Sequence, residues 1–337
     1  MFSRDIGIDL GTANVIIFQR GRGIVIQEPA VVAIDTDNHR VLAVGGEARR
    51  MIGRTPGNIM AVHPLREGVI ADYDVTEAML KHFVRRVLRQ PRLLRPQMVV
   101  CVPSGVTDVE KRAVQEAAIQ AGAKRVYLIS EPMAAAIGAG IDVSQPVGHL
   151  VVDVGGGTTD AAVISLGGEV VSDSIRVGGS KMDESIIRYV RREFNVVIGE
   201  RTAEELKVKI GCALRPEEPE TMEVTGRDAV TGLPRPVTIS SLHIYEALEE
   251  TLSQITQMIR SILERTPPEL GSDIYDHGLV LTGGGALLKG FPELIARETG
   301  ITSYLVDDPI ACVARGTGQV LEILDSVERS AVLTASI

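Results

Sequence analysis

The feature that most constrains this chain is a glycine-rich turn between two short apolar runs near its middle. It consists of an aspartate, three glycines, two threonines and a second aspartate: Asp153, Gly155, Gly156, Gly157, Thr158, Thr159 and Asp160. The flanking apolar runs predict strand, turn and strand, with Asp153 where the first strand ends. Glycines let backbone N–H groups approach a phosphate closely, and Asp153 is then placed to hold magnesium through water. An ordinary glycine hairpin with a surface aspartate fits the same residues.

A second copy of this pattern near the N-terminus favours the phosphate interpretation. Asp9 and Gly11 again lie between two apolar runs, and they correspond to Asp153 and Gly155. This weak internal repeat predicts two similar halves that present phosphate-binding hairpins to a shared cleft. A third glycine run, at 283–285, follows another apolar segment and adds to the specificity of the pattern.

Composition indicates a two-domain α/β protein and argues against a nucleic-acid partner. The chain has 337 residues, of which 45% are hydrophobic, enough for two cores. A net charge of -9, no Trp and only 3% aromatic residues disfavour a basic, base-stacking surface. Cys101, Cys212 and Cys312 are widely spaced in apolar settings, which indicates reduced, buried thiols. The six histidines form no cluster typical of a transition-metal site.

The N-terminal residues and the lengths of the apolar runs predict a cytoplasmic protein. The first predicted strand begins almost at once after Asp5, which leaves no room for a signal peptide. No apolar run reaches the length that spans a membrane. We therefore expect a soluble protein that is at most peripheral to a membrane.

Strands and helices alternate between residues 97 and 136. The pattern predicts strands at 97–102 and 125–129, a helix at 106–121, and a second helix that starts near Glu131. Such alternation implies a mostly parallel sheet. Glu131 follows its strand at the edge where open α/β sheets carry their chemistry, although a glutamate also stabilises a helix N-terminus. We expect a catalytic role because this edge faces the phosphate hairpins.

Three local predictions concern the segments around this core. Thr76 is expected to cap an amphipathic helix over 76–89. Thr202 and Glu205 fit a capping box at the start of a short helix. The segment 54–74 contains several Pro and Gly residues and is expected to be irregular.

The loop after the first amphipathic helix places two leucines, Leu93 and Leu94, between arginines and prolines. The simpler interpretation is a loop whose leucines fold back onto the protein. The functional interpretation is a small membrane-insertion loop, with the leucines at the acyl boundary and the arginines on lipid phosphates.

Taken together, these residues resemble the actin, sugar kinase and heat-shock chaperone ATPase superfamily. Within that superfamily the chain is most similar to the MreB family of bacterial actins, over nearly its whole length. The similarity is carried by the runs 8–14, 130–138, 152–160, 178–183, 204–211 and 281–290. It does not distinguish MreB proper from its close paralogues in Gram-positive bacteria.

The resemblance implies an α/β, actin-like ATPase fold, in which two RNase H-like domains face an ATP cleft and each carries a small inserted subdomain. Domain I would cover 1–145, with an insertion at about 33–74 and the C-terminal helix 316–337 packing back onto it. Domain II would cover 146–315, with an insertion at about 182–245.

The resemblance also implies roles for individual residues around ATP or ADP and Mg²⁺. The phosphates would be bound by Gly11, Thr12, Ala13, Asn14, Gly155, Gly156, Gly157 and Thr158, and magnesium would be held by Asp9 and Asp153. The nucleoside would be contacted by Glu204, Glu205, Leu206 and Lys207, and covered by Gly283, Gly284, Gly285, Ala286 and Leu287. Glu131 would orient the attacking water, with Thr158 assisting. Asp160 would stabilise the second hairpin or assist the water.

The activity implied by the family is ATP hydrolysis coupled to head-to-tail assembly. Family members form paired protofilaments on the inner face of the cell membrane and guide cell-wall elongation proteins. Leu93 and Leu94 match the membrane-contact position of the family, which implies a cytoplasmic, peripheral location.

No P-loop motif is present. A small-molecule kinase of the same fold is the main alternative, with Glu131 as its general base. A chaperone ATPase would require a further peptide-binding domain.

Overall fold

The structure is a computed structural model that describes the backbone of residues 5–88 and 95–334, and the side chains of 5–88 and 95–324. Its strands are β1 (Ile6–Leu10), β2 (Asn14–Gln19), β3 (Gly23–Pro29), β4 (Val32–Asp35), β5 (Val41–Val44), β6 (Ile59–Val62), β7 (Leu65–Arg66), β8 (Val69–Ile70), β9 (Gln97–Val102), β10 (Arg125–Ser130), β11 (His149–Val154), β12 (Thr159–Ser165), β13 (Gly168–Ile175), β14 (Val196–Val197), β15 (Thr221–Asp228), β16 (Pro234–Ser240), β17 (Leu279–Thr282) and β18 (Ser303–Leu305).

Its α-helices are α1 (Gly46–Arg49), α2 (Tyr73–Leu88), α3 (Asp108–Gln120), α4 (Glu131–Gly138), α5 (Gly179–Phe194), α6 (Glu200–Ile210), α7 (Ser241–Arg265), α8 (Pro268–His277), α9 (Phe291–Thr299) and α10 (Cys312–Thr334). Two short 3₁₀ helices cover Gly284–Leu287 and Pro309–Ala311. In the described part of the chain, none of these helices combines the length and apolar character that crossing a membrane requires.

Two five-stranded sheets have the same strand order, which confirms the two similar halves predicted from the internal repeat. The orders are β10-β9-β1-β2-β3 and β13-β12-β11-β17-β18. In each sheet, three strands form an antiparallel meander and the other two run parallel to its first strand. The expectation of a mostly parallel sheet therefore holds for strand direction, since β1, β3, β9 and β10 run the same way, but the sheet is mixed because β2 of the phosphate hairpin is antiparallel to its neighbours.

Each sheet is the centre of one lobe, and each lobe has its own hydrophobic core. In the first lobe, α2 and α3 cover one face of the β1 sheet, with Met79 and Phe83 of α2 fully buried. In the second lobe, α5, α6, α7 and α9 form the corresponding core with the β11 sheet. Each lobe also carries a small three-stranded sheet, β5-β4-β6 in the first and β14-β15-β16 in the second.

The inner faces of the two sheets meet through a pair of helices. α10 packs on the first sheet, α4 packs on β11 and β12 of the second sheet, and the two helices pack on each other. They cross with backbone against backbone. A Cβ built at Gly316 would lie 1.8 Å from the carbonyl oxygen of Ala134, and one at Gly138 would lie 2.0 Å from that of Cys312. Glycine at both positions is what allows so close a crossing.

The local predictions were wrong in three places. α2 begins at Tyr73, and the Asp72 side chain accepts a hydrogen bond from the Val75 amide at 3.1 Å. The hydroxyl of Thr76 instead donates back to the carbonyl of Asp72. α6 begins at Glu200 after Gly199, so no capping box forms at Thr202. The segment expected to be irregular contains β6, β7 and β8, because tertiary pairing overrides its Pro and Gly content.

Candidate functional site

The site is a cleft between the two lobes, formed where the two glycine hairpins face each other. The β1–β2 turn belongs to the first lobe and the β11–β12 turn to the second. A Cβ built at Gly157 would lie 2.3 Å from Oγ1 of Thr12, and one at Gly156 would lie 2.5 Å from Cβ of Ala13. Only glycine allows the two turns to approach this closely. The enclosed volume of about 450 Å³ falls in the usual range of a small-molecule site.

A third turn, which the sequence analysis missed, inserts between the two hairpins. It is the β7–β8 turn, where Glu67 and Gly68 both have positive φ. The amide of Gly68 donates a 3.0 Å hydrogen bond to Oγ1 of Thr12, and Gly68 lines the cleft. From the second lobe, the guanidinium of Arg176 lies 3.6 Å from the carboxylate of Glu67. The available sequence signal was the Glu67-Gly68 pair, a two-residue turn that the apolar pair Val69-Ile70 follows directly.

Four carboxyl groups from both lobes surround the cleft floor. Asp9 and Asp153 end their strands as predicted, and Asp160 lies opposite Asp153 on β12. Glu131 begins α4, with Ser130 as the N-cap, so its predicted position at the end of a strand is confirmed. Side-chain burial is nearly complete for Glu131, Asp153 and Asp160.

Burial shifts the protonation of this cluster toward neutral acids. It raises the pKa of Asp9 to about 6, although the Cys101 thiol donates a 3.4 Å hydrogen bond to Oδ1 of Asp9 and opposes the shift. Burial, with repulsion from neighbouring carboxylates, raises the pKa of Glu131 and Asp153 well above their ordinary values. The pKa of Asp160 is also raised by burial, but the amide of Ser104 donates to it at 2.8 Å and favours its charged form.

The cluster fits a divalent cation. Among the described residues, Oδ1 of Asp153 is buried and has no hydrogen-bond partner, as expected of an oxygen left free for a ligand. A nearby cation would also relieve the repulsion that raises these pKa values. No group of three or more His, Cys, Asp or Glu side chains in the described ranges forms an all-protein metal cage. Asp9 and Asp153 therefore suit an ion that keeps waters and takes ligand oxygens, as Mg²⁺ does.

Among the predicted site residues, the one cationic side chain is Lys207, which belongs to the second lobe. Its Nζ lies 2.8 Å from Oδ1 of Asp183 and donates to the carbonyl of Gly179 at 2.8 Å. Burial raises the pKa of Asp183 to about 6 although Lys207 opposes the shift. Glu204, one turn before Lys207 on α6, also lines the cleft and pairs with Arg49 of the first lobe. Sequence analysis did not identify Asp183, which lies on the neighbouring helix α5.

Most of the predicted site residues line this one cleft. They are Asp9, Gly11, Thr12, Ala13, Asn14, Glu131, Asp153, Gly155, Gly156, Gly157, Thr158, Glu204, Lys207, Gly283, Gly284, Gly285 and Leu287. Asp160 lies behind the lining, under the second hairpin. Leu206 and Ala286 are buried in the second-lobe core, and the exposed Glu205 pairs at 2.6 Å with Lys209, which itself lines the cleft. Leu93 and Leu94 lie outside the described residues.

The duplicated sheets, the paired hairpins and the cleft between them define an actin-like protein. The structure matches the crystal structure of MreB5 of Spiroplasma citri bound to ADP with a TM-score of 0.90 and 38% identity, over 97% of both chains. It matches the AMPPNP-bound form of the same protein with a TM-score of 0.91 and 37% identity, over 99% of both chains. The MamK double helical filament shares the fold at a TM-score of 0.80 and 23% identity, over 94% of this chain and 98% of that one.

Within this class, the chain belongs to the MreB/Mbl protein family, whose profile matches residues 3–329. It is 51% identical to the cell shape-determining protein Mbl of Bacillus subtilis over 329 residues, which are 98% of this chain and 99% of the relative. It is 53% identical to the cell shape-determining protein MreB of Escherichia coli over 331 residues, which are 96% of this chain and 95% of the relative. The family predicted from the sequence motifs is confirmed.

Proposed function

We propose that this chain binds and hydrolyses ATP with Mg²⁺ and assembles into membrane-associated filaments that guide cell-wall synthesis and set rod cell shape. The observation that carries the proposal is the pair of glycine hairpins that face each other across four carboxyl groups, three of which are buried. Family membership supports the cell-shape role, since the curated relatives are cell shape-determining proteins. Nucleotide binding is supported by the ADP-bound and AMPPNP-bound forms of MreB5.

For ATP binding, the backbone N–H groups of both hairpins and the hydroxyls of Thr12 and Thr158 would hold the phosphates. Asp9 and Asp153 would hold Mg²⁺, which neutralises phosphate charge when bound. The nucleoside would lie toward Glu204, Lys207 and the 283–287 loop. Leu206 and Ala286 would then support that wall from the second-lobe core, and Glu205 would act through Lys209, with which it pairs.

For hydrolysis, Glu131 would accept a hydrogen bond from the attacking water and orient it toward the terminal phosphate. A neutral Glu131 orients water less well than a carboxylate, so the raised pKa makes its charge depend on a cation in the cleft. Thr158 would assist from the phosphate side. Asp160 accepts the Ser104 amide and would fix the second hairpin beside Glu131.

For assembly, copies would join head to tail through a heterologous contact that does not close, which generates an open filament. Paired protofilaments would lie on the inner face of the cytoplasmic membrane, where cell-wall elongation proteins would be their partners. Leu93 and Leu94 would insert at the acyl boundary. Two leucines bind lipid weakly, so stable attachment would depend on many subunits of one filament.

The domain boundaries follow the same proposal. Domain I would comprise 1–145 with an insertion at about 33–74, and domain II 146–315 with an insertion at about 182–245. The helix 316–337 would pack back on domain I, which agrees with the contact of α10 with the first sheet.

The test is negative-stain electron microscopy of the purified protein on a lipid monolayer, with Mg-ATP and without nucleotide. We expect filaments that depend on ATP, together with phosphate release in solution. Dispersed particles in both conditions, with phosphate transferred to an added small-molecule acceptor, would contradict the proposal and identify a kinase.

A further inference from the structure

The two lobes are joined at one end of the cleft and meet again at its mouth. At the base, α4 and α10 form a common core between the two sheets. At the mouth, α1 and the segment after β6 in the first lobe face α6 of the second lobe. Rotation of the lobes about the base must therefore separate the contacts at the mouth.

Two contacts between charged or titratable side chains connect the lobes at the mouth. Arg49 of α1 forms an ion pair with Glu204 of α6. Nε2 of His63, just after β6, lies 3.3 Å from Oε1 of Glu200. Glu200 and Glu204 are four residues apart, so they lie on the same face of α6. The nearby imidazole of His63, and to a smaller extent the charge of Arg49, lowers the pKa of Glu200 and favours its ionised form.

We propose that these two contacts form an ionic clasp that holds the cleft closed and slows the release of bound nucleotide. The inference rests on the nucleotide binding proposed above. Arg49 and His63 are positioning residues here, because neither is part of the cleft lining. Their effect reaches the ligand through Glu204, which lines the cleft, and through α6, which also carries Lys207.

The solvent exposure of the clasp determines how strong its effect is. The side chains of Arg49 and Glu204 are 44% and 40% exposed, and those of His63 and Glu200 are 28% and 49% exposed. Exposed pairs contribute little to a free energy and are screened by salt. We therefore expect each contact to change the nucleotide dissociation rate by about threefold, and both together by about tenfold.

The experiment measures dissociation of a fluorescent N-methylanthraniloyl-ADP in Mg²⁺ buffer, by mixing the loaded full-length protein with excess unlabelled ADP. We expect dissociation to accelerate in Arg49→Ala and in His63→Ala, and most in the double variant. Arg49→Lys retains the charge and should stay close to wild type. Raising the salt from roughly 0.05 M to roughly 0.5 M should accelerate wild type more than the double variant, which retains the pair of Arg176 and Glu67 between the lobes.

Arg265→Ala is the matched control. Arg265 pairs with Asp173 at 2.8 Å with similar exposure, 47% and 40%, but both residues belong to the second lobe. Its dissociation rate should equal that of wild type, and a thermal melt of every variant checks folding. Equal rates in wild type, Arg49→Ala and the double variant would overturn the clasp. If the wild-type protein binds no nucleotide, that result would contradict the proposed function and, with it, the inference that the clasp slows nucleotide release.

Discussion

Glu131 of the first lobe and Asp160 of the second lobe act directly on each other's protonation. Repulsion from Asp160 is the largest charge effect that raises the pKa of Glu131, whereas the pKa of Asp160 is raised by burial against the opposing effect of hydrogen bonds that include the Ser104 amide. Of these two groups, Glu131 therefore holds a proton more readily when no cation is near. Binding of Mg-ATP would release that proton, which couples the water-orienting group to the presence of its substrate.

Replacing Glu131 should slow hydrolysis and spare binding. In Glu131→Ala, we expect the phosphate release rate to fall about 100-fold or more, because the group proposed to orient the attacking water is lost. ATP affinity should stay close to wild type, since the hairpins are unchanged. Glu131→Gln is the matched variant that keeps the shape. Undiminished phosphate release from both variants would exclude Glu131 from the mechanism.

Neutralising Asp160 should move the pH dependence of hydrolysis. With Glu131 in its proposed role, the acid limb of the rate profile would report its deprotonation, and Asp160 raises that pKa by repulsion. In Asp160→Asn, we expect the limb to move to lower pH by about one unit, while the Asn oxygen still accepts the Ser104 amide. The measurement is steady-state phosphate release across pH. A limb that does not move, or that moves to higher pH, would contradict this relationship.

The nucleotide-free protein should lose stability as the pH rises through the titration of Asp9. The folded-state pKa of about 6 lies above the ordinary value of 3.8, so the folded protein binds more protons between these values. The free energy of unfolding then falls by about 1.4 kcal/mol per pH unit in that window. We expect the melting temperature of wild type relative to Asp9→Asn to decrease across the window. A constant difference would contradict the prediction.

Magnesium provides an independent readout of the same residue. Above the pKa of Asp9, added Mg²⁺ should raise the melting temperature of wild type, because the cation relieves carboxylate repulsion. Asp9→Asn should respond less. An equal increase in the melting temperatures of the two proteins would show that Asp9 does not contribute to cation binding.

A methyl group between the hairpins should weaken nucleotide binding. In Gly157→Ala, the Cβ would lie 2.3 Å from Oγ1 of Thr12 and 2.9 Å from the Gly68 amide nitrogen. We expect a cost of about 1–3 kcal/mol in binding or stability, because the turns must separate. The control is Gly271→Ala, where a Cβ meets open space in α8 and should stabilise the fold slightly. Calorimetric titration with ADP measures the difference, and equal affinities would contradict the expected clash.

Changing Leu93 and Leu94 to Ser should reduce co-sedimentation with anionic liposomes, since the acyl boundary would lose its apolar contact. Circular dichroism and the melting temperature should stay unchanged. A matched exposed site is Leu233 on the β15–β16 connection, and Leu233→Ser should leave lipid binding as it is. Unchanged binding of the leucine pair variant would favour a loop that folds back on the protein.

Sequence predicted the two hairpins because their strands, aspartates and glycines are consecutive in the chain. It missed Gly68 because that turn reaches the cleft only through tertiary packing, in a segment whose composition suggested no strands. The sequence also led us to predict that all four residues at 204–207 contact the nucleoside. Helical periodicity divides that run, so Glu204 and Lys207 line the cleft while Leu206 points to the core. Asp183 escaped notice because its partner, Lys207, is on a different helix.

The crossing of α4 and α10 determines how this protein can change shape. At Gly138 and Gly316 the two backbones approach so closely that neither helix has room for an extra carbon atom. Because no space separates the two backbones, α4 and α10 cannot slide past each other, but they can still rotate about the crossing point. We therefore expect the lobes to move mainly by a change in the opening angle between them, and a ligand that contacts both lobes would act on that angle.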